Sequence, residues 1–394
     1  MKHRKESKQR RAFSQIGGVV SCAGDPESAR LLSRAWEAAS GDGRLLTHGF
    51  HPYPARVHPL LIRSLLEAYS QPGQLVVDPF SGSGTVVVEA LAAGRRAIGT
   101  EINRVALSVA WTRLLLLGGP ERRQLEESAS TLASRAARSR SGHVPVDLPG
   151  ELARQFSPTT LLELTTLRNA LETIADDPIR TALRMVLSSL VVKLSRRLSE
   201  TNARSGDGRN PAGITYRLFK ERTTELALAL RDLKRAAHDG CVRPLLVAGD
   251  ARQLPLRDGS VDLVLTSPPY LGTYDYAEVQ HLREAFLGLP PGDRSAREIG
   301  SRSGSQLPPT LALKQYRQDL TAVLREARRI LRPGRSAILV LGDSTVGDTF
   351  VDADQVVRDA ALAAGLSCVA RSSQTRPKAR KGPAREHLIA LSRP

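Results

Sequence analysis

The sequence predicts an α/β fold in which a doubly wound, seven-stranded, mostly parallel sheet carries a mainly helical insertion. Seven short apolar runs predict buried strands, at 74–78, 97–101, 244–247, 261–265, 336–341, 366–370 and 387–391. Segments with helical periodicity separate most of these runs, and this alternation is typical of parallel sheets with crossover helices. Residues 121–240 repeat the helical pattern without a strand signal, so they are predicted to form the insertion.

Composition indicates an ordinary globular chain. Of the 394 residues, 41% are hydrophobic and 25% are charged. No apolar run approaches the ~18 residues that predict a membrane span, and the charged N-terminus lacks the apolar segment of a secretory signal. The cysteines are few and widely spaced, which predicts neither a disulfide framework nor a zinc site: Cys22, Cys241 and Cys368. No metal site is expected at the histidines His48, His51 and His58 either, because they lack ligand companions. We therefore expect a cytoplasmic protein.

The net charge of +17 is unevenly placed along the chain. Residues 1–11 hold six basic and one acidic residue, and 371–394 hold seven and one. Residues 121–240 hold twenty basic and fifteen acidic residues, whereas 241–370 balance at fifteen each. This distribution favours a polyanion held by peripheral parts around a neutral centre, as in nucleic-acid-binding proteins. Solubility or a bias towards arginine is the alternative explanation of the same excess.

The stretch Thr266–Tyr270, with the sequence TSPPY, follows the predicted strand 261–265 directly. Two consecutive prolines end that strand, because neither donates to a sheet ladder and each fixes its own φ near −65°. A stiff bend is expected at the carboxyl end of the strand, which is where open α/β sheets bind ligands. A proline-rich turn without a function is the alternative.

A glycine-containing loop, Asp78–Thr85, joins the strand 74–78 to a helix. Gly82 and Gly84 permit a tight turn and a close approach of the backbone to a ligand. A nucleoside triphosphate loop is excluded because no lysine follows Gly84, and Val87 weakens a dinucleotide site because a small residue is wanted there. The remaining class is an adenosine-bearing ligand without a pyrophosphate. Glu101, 23 residues after Asp78, stands close to the ~20-residue offset of an acidic ribose ligand.

The two loops together resemble motifs I and IV of the S-adenosylmethionine-dependent amino methyltransferases of DNA, which methylate N4 of cytosine or N6 of adenine. In this chain motif I precedes motif IV. His51–Pro59 resembles the stretch that precedes motif I in family members with this order, and Glu101–Asn103 resembles the acidic ribose-binding motif. The likeness covers roughly residues 45–120 and 241–394, and it covers neither 1–45 nor 121–240.

This resemblance implies a class I methyltransferase, Rossmann-like fold, S-adenosyl-L-methionine as cofactor and double-stranded DNA as substrate, with a cognate restriction endonuclease as a further partner. It divides the chain into a basic N-terminal extension (1–45), a cofactor-binding half of the catalytic domain (46–120), the helical insertion (121–240) and a methyl-acceptor half (241–394). The cofactor-binding residues that it implies are Tyr53, Asp78, Pro79, Phe80, Gly82, Gly84, Thr85, Glu101, Ile102, Asp250, Ala251 and Thr266. The catalytic residues that it implies are Ser267, Pro268, Pro269 and Tyr270.

The stretch Thr266–Tyr270, which we call the acceptor turn, suggests how the methyl acceptor is activated. The hydroxyl of Ser267 and the carbonyl of Pro268 are expected to accept the protons of the exocyclic amino group, and Tyr270 to stack on the flipped base. Serine at position 267 favours cytosine N4 over adenine N6. Methylation at cytosine C5 is excluded, because no cysteine has the proline neighbour of the required nucleophile. An RNA amino methyltransferase and a binder without catalysis remain the alternatives.

Several basic and aromatic side chains are candidates for contact with DNA. The insertion is predicted to be the target-recognition region or, equally, a helical bundle with solvated arginines; its candidates are Arg196, Arg197, Arg204, Arg209 and Lys220. Tyr274 follows the acceptor turn and is expected to line the base pocket or the core. Lys378 and Arg380 are expected to contact phosphates without regard to sequence.

Overall fold

A computed structural model describes residues 18–54, 56–139, 148–175, 177–199, 202–205, 210–237, 240–273, 276–289, 298–301, 307–375 and 385–394. The strands are β1 (Val20–Gly24), β2 (Leu75–Asp78), β3 (Arg96–Glu101), β4 (Arg197–Ser199), β5 (Asn202–Ser205), β6 (Leu245–Ala248), β7 (Val261–Thr266), β8 (Leu331–Gly342), β9 (Ser344–Val346), β10 (Thr349–Val351), β11 (Ser367–Thr375) and β12 (Arg385–Ser392). The helices are α1 (Pro26–Ala38), α2 (Pro59–Tyr69), α3 (Thr85–Ala92), α4 (Arg104–Arg113), α5 (Gly119–Arg138), α6 (Gly150–Ala153), α7 (Pro158–Leu171), α8 (Pro178–Leu194), α9 (Ile214–Ala236), α10 (Tyr276–Phe286), α11 (Pro309–Ile330) and α12 (Ala353–Ala364).

The main sheet has eight strands in the order β1-β11-β12-β8-β7-β2-β3-β6. The pairs from β6 across to β8 are parallel, and the pairs from β8 across to β1 are antiparallel. All seven strands predicted from apolar runs belong to this sheet. Helices cover both of its faces, so the predicted doubly wound, Rossmann-like α/β fold is confirmed.

The strand sequences explain why both faces are covered. Val76 and Val77 are both fully buried, yet they belong to different core clusters, because successive side chains of a strand point to opposite faces. The Val77 cluster is completed by α11 and α12, and the Val76 cluster by α1, α2 and α3. The strands of a sheet that is buried on both faces are continuous apolar runs, and the strands were predicted from these runs.

The N-terminal region differs from the predicted basic extension 1–45. Val20–Gly24 forms β1, which pairs antiparallel with β11, and α1 packs against the same end of the sheet. Trp36 is buried, and its indole Nε1 donates to Ser372 Oγ at 3.1 Å. The eighth strand was missed because an edge strand of five residues, three of them exposed and none buried, carries little apolar signal.

The insertion is mainly helical, as predicted, but it is neither strand-free nor separate from the catalytic elements. A short antiparallel ribbon, β4–β5, follows α8, although the sequence of this region carries no strand signal. The core of the insertion also contains Phe50, Val105 of α4 and Phe286 of α10. The insertion therefore shares a hydrophobic core with elements that flank the glycine loop and follow the acceptor turn. Among the described residues, no helix is both long enough and apolar enough to span a membrane.

Candidate active site

Asp78 ends β2 and stands at the centre of the site. It is 3% exposed, and its Oδ1 accepts the hydroxyl of Thr266 at 2.6 Å and the backbone N–H of Phe80 at 3.1 Å. Burial raises the pKa of Asp78 to about 7, and these hydrogen bonds offset only part of the shift. Thr266 is the last residue of the neighbouring strand β7, so this contact joins the glycine loop to the acceptor turn.

The glycine loop turns through two left-handed residues, Gly82 (φ +51°) and Gly84 (φ +88°). Gly82 faces the aromatic ring of Tyr53, and a Cβ placed on it would lie 3.8 Å from Tyr53 Cε1. Gly84 has a different role from the predicted cofactor contact, since a Cβ there would lie 2.9 Å from Ala110 Cβ of α4. Its small size lets α3 begin against α4, and it does not line the cavity described below.

Glu101 ends β3, beside Asp78 on the same edge of the sheet. Its Oε2 accepts the backbone N–H of Gly82 at 2.8 Å, and its Oε1 accepts that of Asn103 at 2.8 Å. Burial raises the pKa of Glu101, although both hydrogen bonds favour the carboxylate. Each oxygen keeps a further lone pair for a ligand hydroxyl. Ile102, 42% exposed, adds an unusually open apolar surface beside this carboxylate.

A buried arginine from α4 holds the loop from below. Arg113 is fully buried, and its guanidinium donates to the carbonyl and hydroxyl of Ser83 at 2.8 and 2.9 Å and to the carbonyl of His51 at 3.0 Å. Burial lowers the pKa of Arg113 far below its usual value. Two histidines of the same region make buried contacts: His48 Nε2 lies 2.7 Å from Glu89 Oε1, and His51 Nε2 lies 3.1 Å from Ser188 Oγ on α8.

The acceptor turn is held at two points by aromatic hydroxyls. Tyr316 of α11 donates to the carbonyl of Pro269 at 3.0 Å, and Tyr270 donates to Glu386 Oε1 at 2.7 Å. The Tyr270 ring packs against the core cluster of α11 and α12. Tyr270 was expected to stack on the flipped base. In the structure its hydroxyl and its ring both contact the protein on the core side of the acceptor turn.

One cavity brings the two loops together. From the predicted cofactor-binding set it is lined by Tyr53, Asp78, Pro79, Phe80, Gly82, Thr85, Glu101, Ile102, Asp250 and Ala251, and from the acceptor turn by Ser267 and Pro269. Pro268 is buried and, like Thr266, Gly84 and Tyr270, lies outside the lining. Asp250 carries an ion pair with Arg252 at 2.7 Å at the cavity wall.

Several lining residues were not predicted. Arg56 is 7% exposed and lies within the His51–Pro59 stretch, whose proline pattern had already marked it as unusual. Glu284, 3% exposed on α10, and Glu298 add two carboxyl groups to the lining. Nothing in their sequence neighbourhood distinguishes them from surface acids, since their approach to the cavity depends on tertiary packing, which for Glu284 is that of α10 on α8.

The predicted nucleic-acid contacts lie away from this cavity or outside the described residues. Arg196 and Arg197 are half-buried where α8 ends and β4 begins, and Lys220 is exposed on α9. Arg204 belongs to β5, but its side chain lies outside the description. Arg209, Tyr274, Lys378 and Arg380 lie outside the described residues.

The residues fit an adenosine-bearing sulfonium ligand. Asp78 is a carboxyl group whose pKa is raised by burial, and a ligand ammonium beside it would favour the carboxylate form. Glu101 presents oxygens suited to ribose hydroxyls, and the open apolar surface of Ile102 suits a purine ring. Fold and site together define a class I methyltransferase.

Comparisons with known proteins find the following similarities. The family model described as "DNA methylase" matches residues 1–111. The type II methyltransferase M.MvaI of Kocuria varians is 21% identical over 376 residues, covering 80% of each chain. The DNA adenine methyltransferase YhdJ of Escherichia coli is 37% identical over 71 residues, covering 18% of this chain and 24% of that protein. Among solved structures, TrmN of Thermus thermophilus is 12% identical with a TM-score of 0.35, covering 86% of this chain and 49% of that one.

The chain is therefore similar to DNA methylases over residues 1–111 and to a type II methyltransferase over most of its length. S-adenosyl-L-methionine is the cofactor that this similarity and the lining of the cavity indicate. The match of the family model from residue 1 corrects the expectation that the likeness begins near residue 45, in line with the place of β1 and α1 in the catalytic sheet.

Proposed function

We propose that this protein is a site-specific DNA methyltransferase that methylates the exocyclic amino group of a flipped base, with cytosine N4 preferred. The observation that carries the proposal is the shared cavity: Ser267 and Pro269 of the acceptor turn line the same space as Asp78 and Glu101. The Thr266–Asp78 hydrogen bond of 2.6 Å fixes the spacing between the two halves. An acceptor group held beside a cofactor pocket is what methyl transfer by positioning requires.

The chain has to make a weak nucleophile reactive. The lone pair of an exocyclic amino group is delocalised into the base, and acceptors aimed at its protons favour the tetrahedral, nucleophilic form. We assign that role to the Ser267 hydroxyl and the Pro268 carbonyl, which the Tyr316–Pro269 and Tyr270–Glu386 contacts hold still. The cofactor supplies an electrophilic methyl group; as the N–C bond forms, the C–S bond breaks, and the amino group loses one proton to solvent.

The residues that line the cofactor side of the cavity can be assigned to different parts of S-adenosylmethionine. We assign Asp78 to the ammonium group, Glu101 to the ribose and Ile102, Phe80 and Ala251 to the faces of the adenine. Tyr53, Pro79, Gly82 and Thr85 close the wall around the aminoacyl end, and Asp250 stands at the rim with Arg252. Gly84 and Thr266 act indirectly, through the packing of α3 and the orientation of Asp78.

The first test is transfer of label from radioactive S-adenosylmethionine to mixed-sequence DNA. We expect Ser267→Ala to lower kcat about 10²-fold, as loss of a preorganised polar group does, while the Kd of the cofactor measured by calorimetry stays within about twofold. Ser139→Ala, at the exposed end of α5, is the matched control. Label entering tRNA and not DNA would overturn the proposal, and absence of cofactor binding would favour a nucleic-acid binder without catalysis.

The choice of base rests on Ser267, which favours cytosine N4. Adenine N6 is the alternative, and the name of YhdJ, a DNA adenine methyltransferase, is an argument for it. Mass spectrometry of nucleosides from the methylated DNA separates N4-methylcytosine from N6-methyladenine.

Double-stranded DNA is the proposed substrate, since the basic excess lies in the insertion and in both chain ends, around a neutral segment. Arg196, Arg197, Arg204, Arg209 and Lys220 of the insertion, Tyr274, and Lys378 and Arg380 stay candidates for contact with it. The type II methyltransferase M.MvaI suggests a role in restriction and modification, with a cognate endonuclease as partner and the cytoplasm as its place.

A further inference from the structure

The hairpin β9–β10 follows the sheet strand β8 and was not predicted from the sequence. Its turn is Gly347-Asp348, with Gly347 at φ +57°, which suits a two-residue hairpin connection that begins with glycine. The inward face carries Val346 and Val351, 5% and 3% exposed, and both belong to the core cluster of α11 and α12.

The hairpin is fastened to the acceptor turn and closed at its base. Val346 lies against Gly272, two residues beyond Tyr270, where an added Cβ would lie 2.8 Å from Val346 Cγ2. At the base, Asp343 Oδ1 accepts the backbone N–H of Ala353 at 3.0 Å and so joins the two ends of the hairpin. The hairpin packs on Gly272, which lies two residues after the acceptor turn in the chain. This packing therefore sets the position of the hairpin relative to the acceptor turn.

The outward face of this hairpin carries an aromatic ring in water. Phe350 pairs with Thr345 across the ribbon and is 51% exposed, although a phenylalanine ring is usually buried. Further large apolar side chains are exposed where α11 begins, next to the hairpin: Leu307 at 45% and Leu311 at 49%. Pro309 joins the two elements, because its Cγ lies 3.3 Å from the Cβ position of Gly347.

A stripe of cations runs along the exposed side of α11 from the same end. Lys314, Arg317 and Arg325 recur at helical spacing around one shallow groove. The acids of this helix are engaged elsewhere, Asp319 with Arg252 at 2.7 Å and Glu326 with Arg329 at 2.7 Å. Arg317 has a long ion pair with Asp359 of α12 at 3.8 Å, in which both side chains are 46% exposed. The stripe begins near Tyr316, whose hydroxyl contacts the acceptor turn. An apolar projection beside a cationic stripe is complementary to a nucleic-acid duplex, which offers stacked bases within a phosphate frame.

We propose that the β9–β10 hairpin is a DNA-binding element that inserts Phe350 into the duplex beside the target base, with Lys314 and Arg317 on the flanking phosphates. Extrusion of a base leaves a gap in the stack, and an apolar wedge that occupies it stabilises the open duplex. Because the hairpin and the acceptor turn share one packed segment, the wedge enters the duplex at a fixed offset from Ser267. This inference rests on the proposed DNA methyltransferase function.

The test compares Phe350→Ala with wild type on two duplexes that contain the mapped methylation site. One duplex has the target base correctly paired, and the other has it mispaired and so already easy to extrude. We expect Phe350→Ala to lower the methylation rate at least tenfold on the paired duplex, and to recover to within about threefold of wild type on the mispaired one. Phe350→Trp retains a wedge and is expected to stay near wild type on both.

Controls separate the wedge from general surface effects. Leu362→Ala removes an apolar side chain that is 80% exposed on α12, and it should behave as wild type on both duplexes. Lys314→Ala and Arg317→Ala should weaken binding to every DNA sequence alike, each reducing the slope of log K against log salt by about 1.

Two results would overturn the inference. One is an equal rate of Phe350→Ala and wild type on the paired duplex. The other is a wild-type dimer in sedimentation that Phe350→Ala converts to monomers without changing the ratio of the two duplex rates, which would assign the surface to a second copy of the chain. Failure of wild type to methylate either duplex would instead contradict the proposed function itself.

Discussion

Asp78 shows at the scale of one residue how binding capacity is obtained at the expense of stability. Its carboxyl group is buried, and its pKa of about 7 means that the folded chain holds a proton that the unfolded chain releases near 3.8. Stability is therefore fully present below about pH 4 and falls as the pH rises towards 7. A buried carboxylate awaiting a cation is the kind of strained group that functional sites retain.

We expect Asp78→Asn to remove this pH dependence. Between pH 5 and 8 the wild-type free energy of unfolding should fall by about 3 kcal/mol more than that of the variant. Urea denaturation at the two pH values measures the difference, and the variant should also lose affinity for the cofactor in calorimetry. Parallel curves for the two proteins would show that Asp78 does not carry the buried proton.

Tyr316 is the residue through which α11 positions the acceptor turn. We expect Tyr316→Phe to leave the Pro269 carbonyl without its donor, to lower the free energy of unfolding by about 1 kcal/mol and to lower kcat severalfold with little change in cofactor Kd. Tyr69→Phe is the matched control, since Tyr69 also donates to a backbone carbonyl, that of Ser28 at 3.4 Å, but on α2. Equal kcat values for the two variants would remove the positioning role.

At the scale of elements, the helical insertion depends on a contact between two of its helices. Glu163 of α7 is fully buried, and it accepts the backbone N–H groups of Gly213 at 2.5 Å and Thr215 at 3.3 Å. These groups belong to the first turn of α9, whose N–H donors have no partners within the helix. A side chain from another helix thus serves as the cap that α9 lacks, because Gly213 has no side chain to do so.

We expect Glu163→Gln to destabilise the protein by about 1–3 kcal/mol, because the amide places a donor against backbone donors in a buried site. Glu172→Gln, at a surface pair with Arg180 where Glu172 is 50% exposed, should cost no more than about 0.5 kcal/mol. Urea unfolding of both variants measures the contrast. Similar losses would show that Glu163 does not cap α9.

At the scale of the whole molecule, the cavity lies between two groups of elements. On one side, α10 packs against α8 of the insertion, where Arg283 Nε donates to the Ser188 carbonyl at 3.2 Å. On the other, α11 and the β9–β10 hairpin pack against the acceptor turn. If DNA reaches Ser267 as proposed, we expect it to meet both structures, with the insertion serving recognition and the hairpin opening the base stack.

The sequence by itself predicted seven strands of the main sheet, the two loops at its carboxyl edge and the resemblance to a methyltransferase family. Buried strands and the apolar stripes of helices show a short-range periodicity. Loops such as Asp78–Thr85 and Thr266–Tyr270 need particular residue types at fixed spacing. Short segments of the sequence are therefore enough to predict both. The tertiary structure alone decided which side chains converge. Arg56, Glu284 and Glu298 reach the cavity, Tyr270 turns towards Glu386, and β1 completes the sheet, because each outcome depends on packing between segments far apart in the chain.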